Sequence, residues 1–104
     1  MEINAKQRKF LERNAQSLNP LVQIGGAGLT EKQVEQISRL LSEHELVKIK
    51  FNEFKEEKHE LTAEIVQKTG ATSVRLIGNV LILYNPAEKA DDRKFEKELN
   101  KLAK

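Results

Sequence analysis

The sequence contains no cysteine and no tryptophan, and its 104 residues include only two prolines and five glycines. Without cysteine, disulfide bonds and thiolate metal sites are excluded, which is consistent with a reducing compartment. No apolar run approaches the roughly 20 residues that cross a bilayer, and residues 1–14 carry charges where a signal peptide needs its apolar segment. We therefore expect a cytoplasmic protein with no membrane partner.

The chain also lacks a large excess of charge of one sign. Charged residues make up 33% of it, but 18 Lys and Arg barely exceed 16 Asp and Glu, for a net charge of +2. This balance is weak support for a polyanionic partner, so the placement of the basic residues matters more than their number. A chain of this length indicates one domain with a modest core and no room for a large enclosed active site.

Hydrophobic periodicity predicts helices and strands in alternation. The predicted elements are a helix at 3–18, a strand at 21–24, a helix from 31 to about 43, a strand at 46–51, a helix ending at 70, strands at 73–77 and 80–84, and a helix at about 91–103. Single helices between strands favour parallel pairing. The expected fold class is α/β, a compact α-β-α-β-α-β-β sandwich with a mixed four-stranded sheet, plus a C-terminal helix.

Local signals define several ends of these elements. Leu11, Ala15 and Leu18 form the apolar face of the first helix, and Thr30 with Gln33 forms a capping-box pattern at the start of the second. Gly70 is expected to end the third helix in a left-handed conformation.

The end of the chain combines a hairpin with an amphipathic helix. Gly78-Asn79 is a two-residue turn that should join the last two strands as an antiparallel edge of the sheet. Phe95, Leu99 and Leu102 mark one face of the final helix, which is either docked or loosely attached. We expect a core domain at 1–86 and a helical extension at 87–104.

No residues of the sequence form a catalytic or metal-binding pattern. His44 and His59 are the only histidines; His44 falls at a helix C-terminus, and His59 lies in a charged cluster. An HExxH motif, a nucleophile elbow and a distinct carboxylate pair are all missing. The sequence indicates a protein that is not an enzyme, with no cofactor and no metal.

Three of the five glycines fall in the segment Gly25-Gly26-Ala27-Gly28. The Walker pattern fails because no Gly-Lys-Ser/Thr follows, and a dinucleotide fingerprint would need a small residue where Glu31 stands. What remains is Gly-x-x-Gly between a strand end and a helix N-terminus. Free backbone N–H groups and the positive end of the helix dipole converge there, so a phosphodiester backbone could approach closely. A simple strand-to-helix turn explains the same pattern.

Basic residues on the strands strengthen the first interpretation. Alternation places Lys48 and Lys50 on one face of the second strand, and Arg75 of the third strand is a candidate for the same face. A patch around the loop would be completed by the basic residues of the first helix, Lys6, Lys9 and Arg13. Alternatively, the strand lysines only protect a sheet edge.

The motifs LNPLVQIGGAGLTE, HELVKIKF and TGATSVRLIGNVLILYN, in this order, resemble the CRM domain, and in particular small stand-alone YhbY-like proteins. The resemblance runs from about Lys6 to Pro86. It implies the fold described above, similar to the C-terminal domain of bacterial initiation factor three. It also implies RNA binding: prokaryotic members are associated with precursors of the large ribosomal subunit, and plant organelle relatives act in intron splicing.

The resemblance assigns RNA contact to particular residues. The family's GxxG loop corresponds to Gly25, Gly26, Ala27 and Gly28, and its basic strand to Lys48 and Lys50. Many members carry a lysine or another polar residue inside the loop, whereas this chain has Gly26 and Ala27 there. Many also have an arginine after the tyrosine of the last strand, where this chain has Asn85. Contact at the loop would thus rely on backbone N–H groups.

The hypothesis is a non-enzymatic RNA-binding protein that binds precursor ribosomal RNA and assists assembly of the large subunit. RNA is the expected partner, and DNA is not. The alternative is a protein-interaction adaptor that docks a ribosomal or other protein through its charged surface and C-terminal helix.

Overall fold

The computed structural model describes residues 1–104 and confirms the predicted α/β class and order of elements. The elements are α1 (Ala5–Ala15), β1 (Val22–Ile24), α2 (Glu31–His44), β2 (Leu46–Phe51), α3 (Lys58–Thr69), β3 (Thr72–Ile77), β4 (Val80–Tyr84) and α4 (Glu96–Lys101). Short 3-10 turns at Lys55–Glu57 and Ala90–Asp92 precede α3 and α4. No helix combines the length and the apolar character that crossing a bilayer requires.

The four strands form one mixed sheet in the order β1-β2-β4-β3. β1 and β2 are parallel, whereas β4 runs antiparallel to both of its neighbours. The hairpin turns at Gly78-Asn79 as predicted, with Gly78 at a φ of 58°. The hairpin forms one side of the sheet, paired antiparallel as predicted. Within it β4 is the inner strand and β3 the edge strand, because Leu81 to Tyr84 are all buried and such an apolar strand is best covered in the middle of the sheet.

Helices cover both faces of the sheet and create two apolar clusters. α2 and α3 contribute Ile37, Leu41 and Ile65 to the larger cluster, together with Val47, Ile49 and Phe51 of β2. On the opposite face, α1 and α4 contribute to the second cluster, which comprises Leu11, Ala15, Leu46, Val74, Ile82, Tyr84 and Leu99. The face that carries α1 is referred to below as the α1 face.

Side-chain caps fix the starts of α1 and α2. Thr30 Oγ1 accepts the Gln33 N–H at 3.1 Å, as predicted. The reciprocal bond of a capping box is not formed: Gln33 Oε1, its acceptor, is buried without a hydrogen-bond partner. Gln33 Nε2 instead donates to the Gln23 carbonyl at 3.0 Å, which ties α2 to β1. A complete capping box occurs on α1 instead, where Asn4 and Gln7 exchange two hydrogen bonds of 2.8 Å.

The first helix is shorter than the predicted 3–18. It begins after its cap Asn4 and ends at Ala15, where the N–H of Gln16 already donates to the Arg13 carbonyl at 3.4 Å. The predicted apolar face loses one member, since Leu18 lies beyond the helix and is 38% exposed. The N–H groups of Gln16 and Leu18 both donate to the carbonyl three residues earlier, so the backbone tightens into a turn and the helix does not continue to Leu18.

The last helix is also shorter than predicted, and the buried side chain of Glu45 accounts for this. Its carboxylate accepts the N–H of Ala87 at 2.7 Å and the N–H of Lys94 at 2.6 Å. Because the Lys94 N–H points at Glu45, it cannot join a helical ladder that starts at Asp91. The predicted helix at 91–103 is therefore replaced by a 3-10 turn, an extended Arg93, and α4.

α4 is docked rather than loosely attached. Leu99 is 1% exposed, and its carbonyl accepts a hydrogen bond of 3.0 Å from Gln7 Nε2 of α1. The ring of Phe95 packs edge-to-face against Phe10 and Tyr84, with ring centroids 6.2 Å apart in both pairs. The apolar face of residues 87–104 is thus used within the chain.

Candidate functional site

The Gly25–Gly28 segment forms a tight turn between the end of β1 and the start of α2. The N–H of Gly28 donates to the Gly25 carbonyl at 3.0 Å, and Gly28 has a φ of 71°. This left-handed conformation explains why position 28 requires glycine.

The other two glycines of the turn have no such explanation within the chain. Neither Gly25 nor Gly26 has a positive φ. A Cβ built at either position would meet nothing within 4 Å. Fold and packing would therefore accept a larger residue at both positions, and what their missing side chains provide is access to the backbone from outside.

Unpaired backbone donors lie at this accessible turn. Gly26 and Ala27 are exposed, and their N–H groups make no hydrogen bond within the chain. The N–H groups of Glu31 and Lys32, in the first turn of α2, are free in the same way. The turn and the first turn of α2, at the positive end of the helix dipole, thus carry several free donors, and the exposed Glu31 of the same helical turn is acidic.

Lys48, Lys50 and Arg75 share one face of the sheet, as their spacing predicts. Lys48 and Arg75 both stand opposite Ile82 in the strand register, on the α1 face. Lys48 Nζ donates to the Leu18 carbonyl at 3.1 Å, and Arg75 Nε lies 3.5 Å from Glu12 Oε1. These two cations are engaged.

Lys50 is exposed and carries no ion pair. It lies one step closer to the glycine turn than Lys48, because its neighbour on β1 is Gln23, two residues before Gly25. Of the three strand cations, Lys50 is therefore the one that is free and placed nearest to the loop.

The basic residues of α1 lie elsewhere. Lys6, Lys9 and Arg13 line a groove between α1 and α4, together with Phe10, Glu98 and Leu102. None of the loop residues or strand cations borders this groove. The structure therefore separates the predicted patch into a part beside the loop and a part along α1.

Two cations beside the loop were missed by sequence reasoning. Lys32 and Arg39 of α2 line a shallow depression that also includes Ala27. Their spacing places both on one helical face, so a helical wheel of α2 could have identified them. Neither has an ion-pair partner in the chain.

Phe54 is the second feature that the sequence did not reveal. Its ring lies against the glycine turn, 3.6 Å from the position of a Cβ on Gly28, and 42% of the residue is exposed. Phe54 has a φ of 56°, which is rare for a bulky residue.

Tyr84 of β4, unlike Phe54, is only 1% exposed. Burial, followed by the neighbouring Glu45 carboxylate, raises the pKa of Tyr84 to about 12. Its ring belongs to the core and is not available to a ligand. The structure contains no group of three or more His, Cys, Asp or Glu side chains able to hold a metal ion.

The fold and the loop define a class of protein: a single-sheet α/β domain that presents a Gly-x-x-Gly loop at the junction of a strand and a helix. Residues 3–85 match the CRS1 / YhbY (CRM) domain. The chain belongs to this family, which confirms the resemblance seen in its motifs.

Relatives agree with this assignment over nearly their whole lengths. A Haemophilus influenzae protein named "RNA-binding protein" is 42% identical over 89 residues, which cover 85% of this chain and 90% of that protein. The Bacillus subtilis "Probable RNA-binding protein YqeI" is 28% identical over 88 residues, or 84% of this chain and 92% of its own. The solution structure of a Staphylococcus aureus protein proposed to bind RNA has a TM-score of 0.73 at 27% identity, covering 89% of this chain and 98% of that one.

Proposed function

We propose that this protein binds RNA, and that the RNA backbone contacts the Gly25–Gly28 turn and the start of α2. The observation that carries the proposal is the bare backbone at Gly25 and Gly26, which neither the local conformation nor the packing requires. The names of its relatives support RNA as the ligand.

In this proposal, phosphate oxygens accept hydrogen bonds from the free N–H groups of Gly26 and Ala27, assisted by the α2 dipole. The loop itself carries no charge, so cations beside it must offset the phosphate charge. Lys50, Lys32 and Arg39 are the exposed cations that the structure places there. Lys48 and Arg75 extend the same basic surface across the α1 face, once released from their present partners.

We further propose that the RNA is a precursor of the large-subunit ribosomal RNA and that the protein assists subunit assembly in the cytoplasm without catalysing a reaction. The support for this finer assignment is the resemblance to stand-alone members of the family. Under this finer assignment, the protein associates with pre-ribosomal particles of the large subunit and does not bind DNA.

The loop assignment is tested by changing Gly26 and Ala27 both to Asp. Two carboxylates would then occupy the position proposed for phosphate, and the affinity for a transcript of large-subunit precursor RNA should fall at least tenfold, or about 1.4 kcal/mol. Filter binding measures the affinity, and circular dichroism verifies the fold. Unchanged affinity in a folded variant contradicts the loop assignment.

A matched control places the same two charges away from the loop. Ala63 and Gln67 are exposed on α3, so Ala63→Asp with Gln67→Asp changes the net charge equally. This control should retain nearly all of the affinity. An equal loss in both variants would show that total charge, and not the loop, controls binding. Sedimentation of cell extract with and without RNase then tests association with large-subunit precursors.

The alternative of a protein-interaction adaptor is weakened by the position of α4. Leu99 is buried, and Phe95 packs against Phe10 and Tyr84, so the apolar face of the C-terminal helix is already occupied and only the charged surface stays available to a partner protein. Docking through this face would require α4 to leave the sheet.

A further inference from the structure

Phe54 is the only exposed aromatic residue of the protein. The chain has four phenylalanines and one tyrosine. Phe51 and Tyr84 are buried, and Phe10 and Phe95 pack against each other in the cluster below α1 and α4. The single aromatic ring that solvent reaches freely is therefore the one beside the glycine turn.

Backbone hydrogen bonds hold Phe54 at this position. The carbonyl of Ile24, directly before Gly25, accepts the N–H groups of both Asn52 and Glu53, at 3.0 and 3.1 Å. These are the two residues directly before Phe54. The Ile24 carbonyl thus ties the segment that carries the Phe54 ring to the start of the glycine turn that carries the free N–H groups.

The conformation of Phe54 has an energetic cost that its own packing does not explain. A left-handed φ is unfavourable for a residue with a bulky side chain, and glycine or asparagine would adopt it more easily. The ring is absent from both apolar clusters, and 42% of the residue remains in water. Strain kept at an exposed position next to a candidate binding loop indicates a role in binding.

The local charge favours a flat, uncharged group over a further phosphate at this point. Residues 53–60, which include Phe54, carry four glutamates and only two lysines. One of these lysines, Lys58, is engaged by the Gly78 carbonyl at 2.7 Å. A phosphate at the ring would be repelled by this acidic segment. A nucleobase carries no charge and would bury apolar surface against the Phe54 ring.

We infer that Phe54 is a stacking platform for an unpaired nucleobase, and that the RNA is therefore single-stranded where it passes the glycine turn. This rests on the proposed function, which it deepens by naming the form of RNA. A nucleotide whose phosphate lies on the Gly26 and Ala27 N–H groups has its base against the Phe54 ring. Bases inside an A-form duplex are already stacked on their neighbours, so a duplex cannot use the ring.

The test compares three substitutions at one position. Phe54→Ala removes the ring, and Phe54→Leu keeps an apolar side chain against Gly28 without a π face. Both should weaken binding to a single-stranded oligoadenylate of about ten nucleotides by roughly 5- to 150-fold, the loss expected for one stacked base. Phe54→Trp should bind at least as tightly as the unaltered protein. Leu18→Ala, at an exposed apolar position away from the loop, should have no effect.

The tryptophan variant also gives a direct signal. Since the chain contains no other tryptophan, the tryptophan emission of Phe54→Trp reports on this position alone. Stacking should quench the emission when the oligoadenylate is added, whereas a duplex RNA of the same length should not.

The outcomes separate the two proposals. If the unaltered protein binds the single strand, but Phe54→Leu binds equally well or Phe54→Trp emission is unchanged at saturation, the ring is only a structural support and the stacking inference is wrong. It is also wrong if the unaltered protein binds only the large-subunit precursor transcript. If the protein binds neither RNA, the proposed function fails as well.

Discussion

The carboxylate of Glu45 accepts a hydrogen bond of 2.6 Å from the backbone N–H of Lys94, and through this contact the end of α2 holds the last segment of the chain. The second oxygen of the same carboxylate accepts the N–H of Ala87 at 2.7 Å. Glu45 is 1% exposed and has a φ of 64°, so a charged side chain is buried in a strained backbone conformation to make these bonds.

Replacing Glu45 with Gln should lower the free energy of unfolding by about 2–3 kcal/mol, because charge-assisted bonds are lost and an amide N–H is turned towards a backbone donor. Urea denaturation measures the change, and limited proteolysis should cut residues 87–94 sooner than in the unaltered protein. Glu43→Gln, which changes an exposed glutamate nearby, should have little effect. Equal stabilities of the two variants would mean that Glu45 is not the anchor.

Two glycines of the turn should respond in opposite ways to alanine. Gly28→Ala should destabilise the fold by about 1–2 kcal/mol, because its φ of 71° is unfavourable for a residue with a Cβ. Gly26→Ala should leave stability unchanged or raise it by about 0.4–1 kcal/mol, because the substitution reduces the conformational entropy of the unfolded chain without straining the folded one.

RNA binding by Gly26→Ala should nevertheless fall about tenfold, because the added Cβ keeps the phosphate away from the retained N–H and one charge-assisted hydrogen bond of about 1.5 kcal/mol is lost. Urea denaturation and filter binding on the same protein samples separate the two effects. A Gly26→Ala protein with full affinity would remove the main support for backbone contact at this turn.

The two parts of the predicted basic patch should contribute differently. Lys50→Ala should weaken RNA binding for all sequences and lower the slope of log affinity against log salt by about 0.7, the value for one phosphate on a single strand. Lys9→Ala, in the groove between α1 and α4, should leave both quantities unchanged. Equal reductions in slope would show that the RNA also follows α1.

Much of the fold could be predicted because it depends on short stretches of sequence. The alternation of LVKIKF places β2 correctly, the two-residue turn Gly78-Asn79 joins β3 to β4, and Gly70 ends α3 with a φ of 74°. Thr30 caps α2 for the same reason, since its partner is three residues away. In each case the interacting groups are neighbours in the chain.

The candidate site could be predicted only in part. The GxxG turn was found because its four residues are consecutive, and Lys48, Lys50 and Arg75 because strand alternation sets their face. Whether these residues bind RNA stays a prediction. Sequence reasoning grouped the basic residues of α1 with them, because a helical wheel gives the direction of a side chain but not the element beside which it lies.

The α/β class, the order of the elements and the position of the exposed glycine turn follow from the sequence, since propensity, periodicity and turn chemistry act over a few residues. The place of β4 inside the sheet and the shortening of the last helix by Glu45 follow from tertiary contacts. The contact of Phe54 with Gly28 follows from tertiary contacts as well. These features depend on contacts between residues far apart in the chain, where burial and hydrogen bonding override local preference.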